Sequence, residues 1–249
     1  MRQMNQDYIY STDQPLGNLP NLFIVADGMG GHKAGDFASK FTVERVVELV
    51  SESEETDPEK ILGEALRVTN QELIRQAYMD PEKQGMGTTF VAATIAGKHL
   101  RVFNVGDSRL YLLNHQIEQV TQDHSYVQEM VQKGELNQED ARLHPRKNVI
   151  TRAIGASPEL VYDFFERQLS KADEILLCSD GLTNMLEDTE IQRIVKTQPD
   201  PIAKVDKLIE AANEHGGADK VQGKLVGCRN ICCRGKTDGP GNGNIDDQE

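Results

Sequence analysis

Phe23 to Gly35, FIVADGMGGHKAG, constrains the chain more than any other stretch, because two unlike environments meet inside it. Phe23-Ile24-Val25-Ala26 is apolar and partly β-branched, which suits a buried strand. Directly after it come one carboxylate, Asp27, and four glycines within eight residues. Glycine lets the backbone take positive φ and approach a ligand closely, whereas a lone carboxylate ending a buried strand is costly unless something cationic meets it. On this segment alone two readings are open: a site, or a tight strand-to-helix turn with Asp27 solvated or capping.

The rest of the chain supplies the frame. Phe37, Phe41, Val43, Val46, Val47 and Val50 recur at helical spacing and predict a helix over roughly 34–52. Pro58 suits the first turn of a second helix, whose apolar face continues to about Met79, so the two form a helical hairpin. Thr88 to Ala96, Leu100 to Val105, Arg109 to Leu113 and Ile117 to Val120 are strand-like and predict a β-meander of sequential hairpins. The polar stretch 121–155, with short helices near Ser125 to Gln132 and Gln138 to Leu143, is too long for an ordinary connector and predicts a flap on the surface. Strands follow over Val161 to Leu169 and Glu174 to Cys178, then helices over Asp188 to Lys196, with Asp188 as N-cap, and Pro201 to Glu214. Helix pairs bracketing many strands, with no βαβ alternation, favour an antiparallel core. Residues 220–249 are glycine-rich, carry Cys228, Cys232 and Cys233, and have the composition of a disordered tail.

Charge narrows the partners. Forty Asp+Glu against 27 Lys+Arg give a net charge of -13, which disfavours nucleic acid and anionic membranes. No apolar run approaches the ~18 residues of a membrane span, and MRQMNQDYIY lacks the apolar region of a signal peptide. The cysteines form no disulfide framework, so the expectation is a soluble, cytoplasmic protein with reduced thiols.

Asp27 has companions. Asp27 and Asp180 each follow an apolar strand and precede glycine, Asp107 follows a strand within GDSR, and Asp219 follows Gly216-Gly217-Ala218. One Asp-Gly is ordinarily a turn signal. Strands of a common core could bring such ends together, and clustered carboxylates repel unless a cation neutralises them. An all-oxygen set suits Mg²⁺ or Mn²⁺, and two such ions ~3.5–4 Å apart clamp phosphoryl oxygens. Arg2, beside Asp7, would add the bidentate donor fork that phosphate prefers.

The ordered set R-x-x-N-Q-D (Arg2 to Asp7), VADGMGGHKAG (Val25 to Gly35), GTT (Gly87 to Thr89), VGDSRLY (Val105 to Tyr111), H-P-R-K-N-x-I-T-R-A-I-G (His144 to Gly155), LLCSDGL (Leu176 to Leu182) and GGAD (Gly216 to Asp219) resembles the bacterial metal-dependent type 2C Ser/Thr protein phosphatases, the PPM family. The resemblance spans Met1 to Asp219. It implies an α+β fold, a four-layer α-β-β-α sandwich of two antiparallel sheets flanked by helix pairs. The phosphatase domain would cover 1–219, with the flap at 121–155 beside a metal centre at one end, and 220–249 as an atypical tail. By the same resemblance Asp27 serves both metals with the Gly28 carbonyl on the second, Asp180 and Asp219 hold the first, and Asp107 with Asp180 matches a weaker third-metal position. Arg2 grips the substrate phosphate and Asp7 orients metal-bound water. The implied reaction is hydrolysis of phosphoserine or phosphothreonine in proteins by a hydroxide bridging two Mg²⁺ or Mn²⁺ ions, without a phosphoenzyme, by a monomer that opposes a bacterial Ser/Thr kinase.

This chain departs from the family pattern in places. Gln6 stands where many relatives have Glu. Met29 stands where eukaryotic members carry a general-acid histidine, and His32 follows three residues on. After Asp219 the usual β-branched strand gives way to Lys220 and the tail, so a core strand is expected to be missing or poorly replaced, and the first strand is expected to be short. A second reading is therefore a phosphatase-like, non-catalytic phosphoprotein-binding module, and a third is a phosphatase for a small phosphorylated metabolite. Cys178 is expected in the core. His124 and His144 are expected as polar residues of the flap, and Arg146 and Arg152 either on its solvated surface or in contact with substrate.

Overall fold

Side-chain parity along single strands sets the layers. In β2 (Leu22–Met29), Leu22, Ile24 and Ala26 pack with Ala38 and Val46 of α1 (His32–Glu52) and Leu62, Leu66 and Leu73 of α2 (Pro58–Met79), whereas Phe23 and Val25 belong to another apolar cluster. That second cluster holds Leu110 and Leu112 of β6 (Arg109–Leu113) with Ile175 and Leu177 of β9 (Glu174–Cys178). The opposite parity of those two strands, Tyr111, Leu113, Leu176 and Cys178, packs on Ile191 and Ile194 of α6 (Asp188–Thr197) and Leu208 and Ala211 of α7 (Pro201–Glu214). Three apolar interfaces separate four layers: a helix pair, a sheet, a second sheet and a second helix pair. The α-β-β-α sandwich is the expected one.

The computed structural model describes residues 6–216 and 223–227. Its first sheet runs β1 (Asp7–Thr12), β2, β4 (Phe90–Ala96), β5 (His99–Val105) and β8 (Asp163–Gln168), with β3 (Gly87–Thr88) also on β2. The second runs β10 (Gly223–Gly227), β9, β6 and β7 (Ile117–Gln119), and every pairing in both sheets is antiparallel. Between β7 and β8 lie α3 (Tyr126–Gln132) and α4 (Gln138–Leu143), each begun by a side-chain cap, Ser125 and Asn137. Asp57 and Asp200 cap α2 and α7 in the same way, each followed by proline at N1.

Three expectations change. The meander is interrupted: β4 and β5 form a hairpin in the first sheet, but β6 belongs to the second, because Gly106-Asp107-Ser108 carries the chain across the sandwich. Asp188 is not the N-cap of α6. Glu187 occupies that position, and the Asp188 carboxylate instead accepts from the fully buried Tyr111 hydroxyl at 2.9 Å, a donor that needs a partner once removed from water. The strand expected to be missing or poorly replaced beyond Asp219 is replaced by the five-residue β10, with Gly223 opposite Cys178 and Gly227 opposite Glu174. Ladder bonds are made by the backbone, so the open edge of β9 accepts a strand whose composition reads as a tail. Arg2, Asp219, Cys228, Cys232 and Cys233 lie outside the described residues.

Leu177 is fully buried between the sheets. Leu177→Ala is expected to lower unfolding free energy by about 2–5 kcal/mol, read from urea denaturation.

Candidate metal and phosphate site

The parity that makes the inter-sheet core also aims the acids. Asp27 continues the inward series of Phe23 and Val25. Asp7 shares parity with Ile9, which packs against the inter-sheet cluster, and lies directly opposite Asp27 in the β1–β2 ladder. Ser179 continues the inward series of Ile175 and Leu177 from the other sheet, and its hydroxyl donates to Asp7 Oδ2 at 2.8 Å, a bond between the two sheets. Asp180 then opens α5 (Asp180–Thr183), where Asn184 Nδ2 donates to its Oδ2 at 2.9 Å. Asp107, 8% exposed, arrives on the turn that crosses between the sheets.

The backbone is fixed by hydroxyls. Thr89 Oγ1 accepts the Asp27 N–H at 2.9 Å and shares a 2.7 Å hydrogen bond with Ser108 Oγ, while Thr88 Oγ1 donates to the Asp27 carbonyl at 2.9 Å. Gly28 donates its N–H to the Gln6 carbonyl at 2.9 Å, and a Cβ at Gly28 would collide with the Gly35 carbonyl oxygen of α1. The Gln6 amide likewise stands where a Gly35 Cβ would be, so the two glycines let β2, α1 and Gln6 meet.

Like charges dominate the electrostatics. Burial raises the Asp27 carboxyl well above the usual range, and the charges of Asp7, Asp180 and Asp107 and a hydrogen bond with Asp7 push the same way. Asp107 is pushed up to about 8 by burial and by Asp180 and Asp123, against a partial opposing effect of the Arg109 guanidinium. Arg109 is itself engaged, bidentate on Asp123 at 2.7–3.1 Å and on Tyr111 Oη at 2.8 Å. Cys178 is fully buried, which pushes its thiol up to about 12 and removes it as a nucleophile.

These observations bear on a divalent ion. Oxygen-only, mutually repelling, largely buried carboxylates suit a hard cation. Among the described residues no three His, Cys, Asp or Glu side chains close into a group that could hold an ion, and the further expected ligand, Asp219, lies outside them. Asp7, Asp27, Asp107 and Asp180 are brought into one electrostatic cluster, whereas Arg2 and the His32 side chain fall outside what is described.

The flap is anchored more firmly than its composition suggests. His124, the expected polar residue of the flap, is only 5% exposed and bonded to Gly106. Arg152 donates to Asp163 at 3.0 Å, Arg146 stacks on the Tyr126 ring at 3.6 Å, and His144 Nδ1 accepts the Arg146 N–H. Arg142 donates to the Thr183 and Leu186 carbonyls, tying α4 to the segment behind Asp180. A cavity of about 70 Å³ lies between Asp107, Asp180 and Asn184 on one side and Gln128, Arg142 and Lys147 of the flap on the other. The hydroxyls of Thr89, Ser108 and Ser179 gave no sequence signal of their own, since single polar residues carry no periodicity; only their place beside the acids marked them.

Comparison with known proteins gives a consistent picture. Residues 2–225 match the family model described as protein phosphatase 2C. The serine/threonine phosphatase of Listeria monocytogenes serovar 1/2a is 42% identical over 210 residues, 82% of this chain and 83% of the relative. A protein phosphatase of Streptococcus pneumoniae is 37% identical over 235 residues, 90% and 92%. Among solved structures, the serine/threonine phosphatase Stp1 from Staphylococcus aureus superposes with a TM-score of 0.83 at 34% identity, covering 90% of this chain and 89% of that one. The catalytic domain of the phosphatase PstP in complex with two manganese ions gives 0.78 at 32% identity, covering 90% and 91%.

Gly28→Ala forces β2 and the start of α1 apart. It is expected to cost about 1–3 kcal/mol, measured by urea unfolding, whereas Gly31→Ala, with open space around its Cβ, is expected to cost less than the Gly28 change.

Proposed function

The chain belongs to the protein phosphatase 2C family and is a metal-dependent protein-serine/threonine phosphatase, and from that premise we propose how its residues divide the reaction. Asp27, the Gly28 carbonyl, Asp180 and Asp219 would hold two divalent ions, Mg²⁺ or Mn²⁺, and Asp107 with Asp180 would hold a third, weaker one. The observation that supports this reading is the convergence of carboxylates from both sheets at one end of the sandwich, where burial and like charge raise Asp27 and Asp107 together. When bound, such ions make water nucleophilic at neutral pH and neutralise phosphoryl oxygens.

The chain's own groups do the rest. Arg2 grips the substrate phosphate through its guanidinium fork. Asp7, held by the Ser179 hydroxyl, accepts a hydrogen bond from the attacking water and fixes its line to phosphorus. The Thr88, Thr89 and Ser108 hydroxyls keep the Asp27 peptide from shifting, which matters because misplacement of reacting groups by about 1 Å costs about 10²-fold in rate. In this reading water attacks directly, and the buried, protonated Cys178 is no competing nucleophile.

The substrates are phosphoproteins, and the proposal extends to those made by a bacterial Ser/Thr kinase, with the enzyme acting as a cytoplasmic monomer. Among the described residues no helix is long and apolar enough to cross a membrane. The non-catalytic reading has no support: β10 completes the second sheet, and the relatives compared are named as phosphatases. The expected result with p-nitrophenyl phosphate and a phosphothreonine peptide is turnover that needs Mn²⁺ or Mg²⁺ and stops with EDTA. Asp180→Asn is expected to lower kcat/KM by at least about 100-fold; metal-independent turnover, or an unaffected Asp180→Asn enzyme, would sink the assignment. A higher kcat/KM on small phosphorylated metabolites than on phosphopeptides would move it to the third reading.

A further inference from the structure

We propose that His124 is a positioning residue for the reaction: it clamps the Gly106 peptide so that Asp107 stands beside Asp180, and it fastens the flap to the same turn. The proposal rests on the reading of Asp107 as a metal-facing carboxylate. Gly106 lies between β5 in one sheet and β6 in the other, with φ +105°, and both polar atoms of its backbone go to His124. The Gly106 N–H donates to His124 Nδ1 at 3.1 Å, and the His124 N–H donates to the Gly106 carbonyl at 2.9 Å. Asn104 Nδ2 adds a longer bond to that carbonyl, 3.3 Å, and a second to the Gln122 carbonyl at 3.0 Å.

The far side of the ring is fixed as well. Because Nδ1 accepts, the ring proton sits on Nε2, which lies 3.1 Å from Asp163 Oδ2 on β8. Arg152 reaches the same group, 3.0 Å from Asp163 Oδ1 and 3.2 Å from Nε2. The His124 carbonyl accepts the Thr151 N–H at 2.8 Å, so the flap's entry and exit meet on this one residue. At 5% exposure His124 does not reach substrate; its effect passes through Gly106 to the neighbouring Asp107. A Cβ at Gly106 would stand 2.7 Å from Thr89 Cβ and Cγ2, so the turn is packed against the same threonine that holds the Asp27 peptide. Loss of a group that orients a ligand in this way typically costs about 10–100-fold in metal affinity.

Two isosteres separate the two ends of the ring. His124→Asn places an amide oxygen near the Nδ1 position and keeps the side-chain bond to the Gly106 N–H; His124→Gln places a donor near Nε2 and keeps the Asp163 bond while losing the one to Gly106, and the main-chain bond to the Gly106 carbonyl stays in both. Mn²⁺ titration followed by electron paramagnetic resonance reads ion binding without any turnover. His124→Gln is expected to weaken the weakest-bound Mn²⁺ by about 10–100-fold, and His124→Asn to return it to the wild-type range. Each variant loses one ring bond, so a general loss of stability, followed by urea midpoints, would act on both alike. Equal losses in the two variants, no loss in His124→Gln, or loss in His124→Asn alone would overturn the clamp. Asp107→Asn run in parallel isolates the premise: if it leaves Mn²⁺ binding unchanged, the reading of Asp107 has failed, and the clamp with it, on separate grounds.

Discussion

Mutual repulsion among buried carboxylates is the constraint on which the rest of this molecule depends. Two sheets packed face to face bring the ends of β1, β2 and β9 and the β5–β6 turn to one place, and the inward parity of each strand delivers acids there. An apolar residue at Asp27 would continue the core. A carboxylate in the same position, facing Asp7 across the ladder, opposes folding and calls for a cation. The site is thus a locally unfavourable end of an otherwise consistent sandwich, which is where function is commonly located.

What holds the unfavourable end in shape is a polar frame of short neutral side chains. Thr88, Thr89 and Ser179 bond to the peptides or carboxylates of the acids, Ser108 to the Thr89 hydroxyl, and Asn184 to Asp180, without adding charge. Glycine does the complementary work at Gly28 and Gly106, where backbone has to pass close to α1 or cross between sheets. The flap is part of this frame. Through His124 and Arg142 it is tied to the Gly106 turn and to the segment behind Asp180, so the flap and the carboxylate cluster share supports.

Much of the fold was legible in the sequence because its signals are periodic. The α1, α2 and α7 faces, the strand β9 and the D-G strand ends all follow from spacing, and the recurrence of Asp27, Asp107 and Asp180 after strands pointed to the carboxylate cluster. The sheet switch at Gly106 was not legible, since a glycine turn looks the same whether the next strand pairs back or crosses over. β10 was missed because ladder pairing to an open edge needs little from side chains. His124 read only as a polar flap residue because one histidine in a polar stretch has no pattern; its bonds to Gly106 and its link to Asp163 set it apart.

The central claim, that this end of the sandwich trades stability for cation binding, is tested most directly by unfolding wild type and Asp27→Asn in urea at neutral pH, with EDTA and with excess Mn²⁺. Replacing a buried, repelled carboxylate by its neutral isostere should make the EDTA form more stable than wild type, while the stabilisation that Mn²⁺ gives wild type, about 2.7 kcal/mol at a hundredfold excess over Kd, should be largely lost. An Asp27→Asn protein that is less stable than wild type in EDTA and still gains the full Mn²⁺ stabilisation would contradict it.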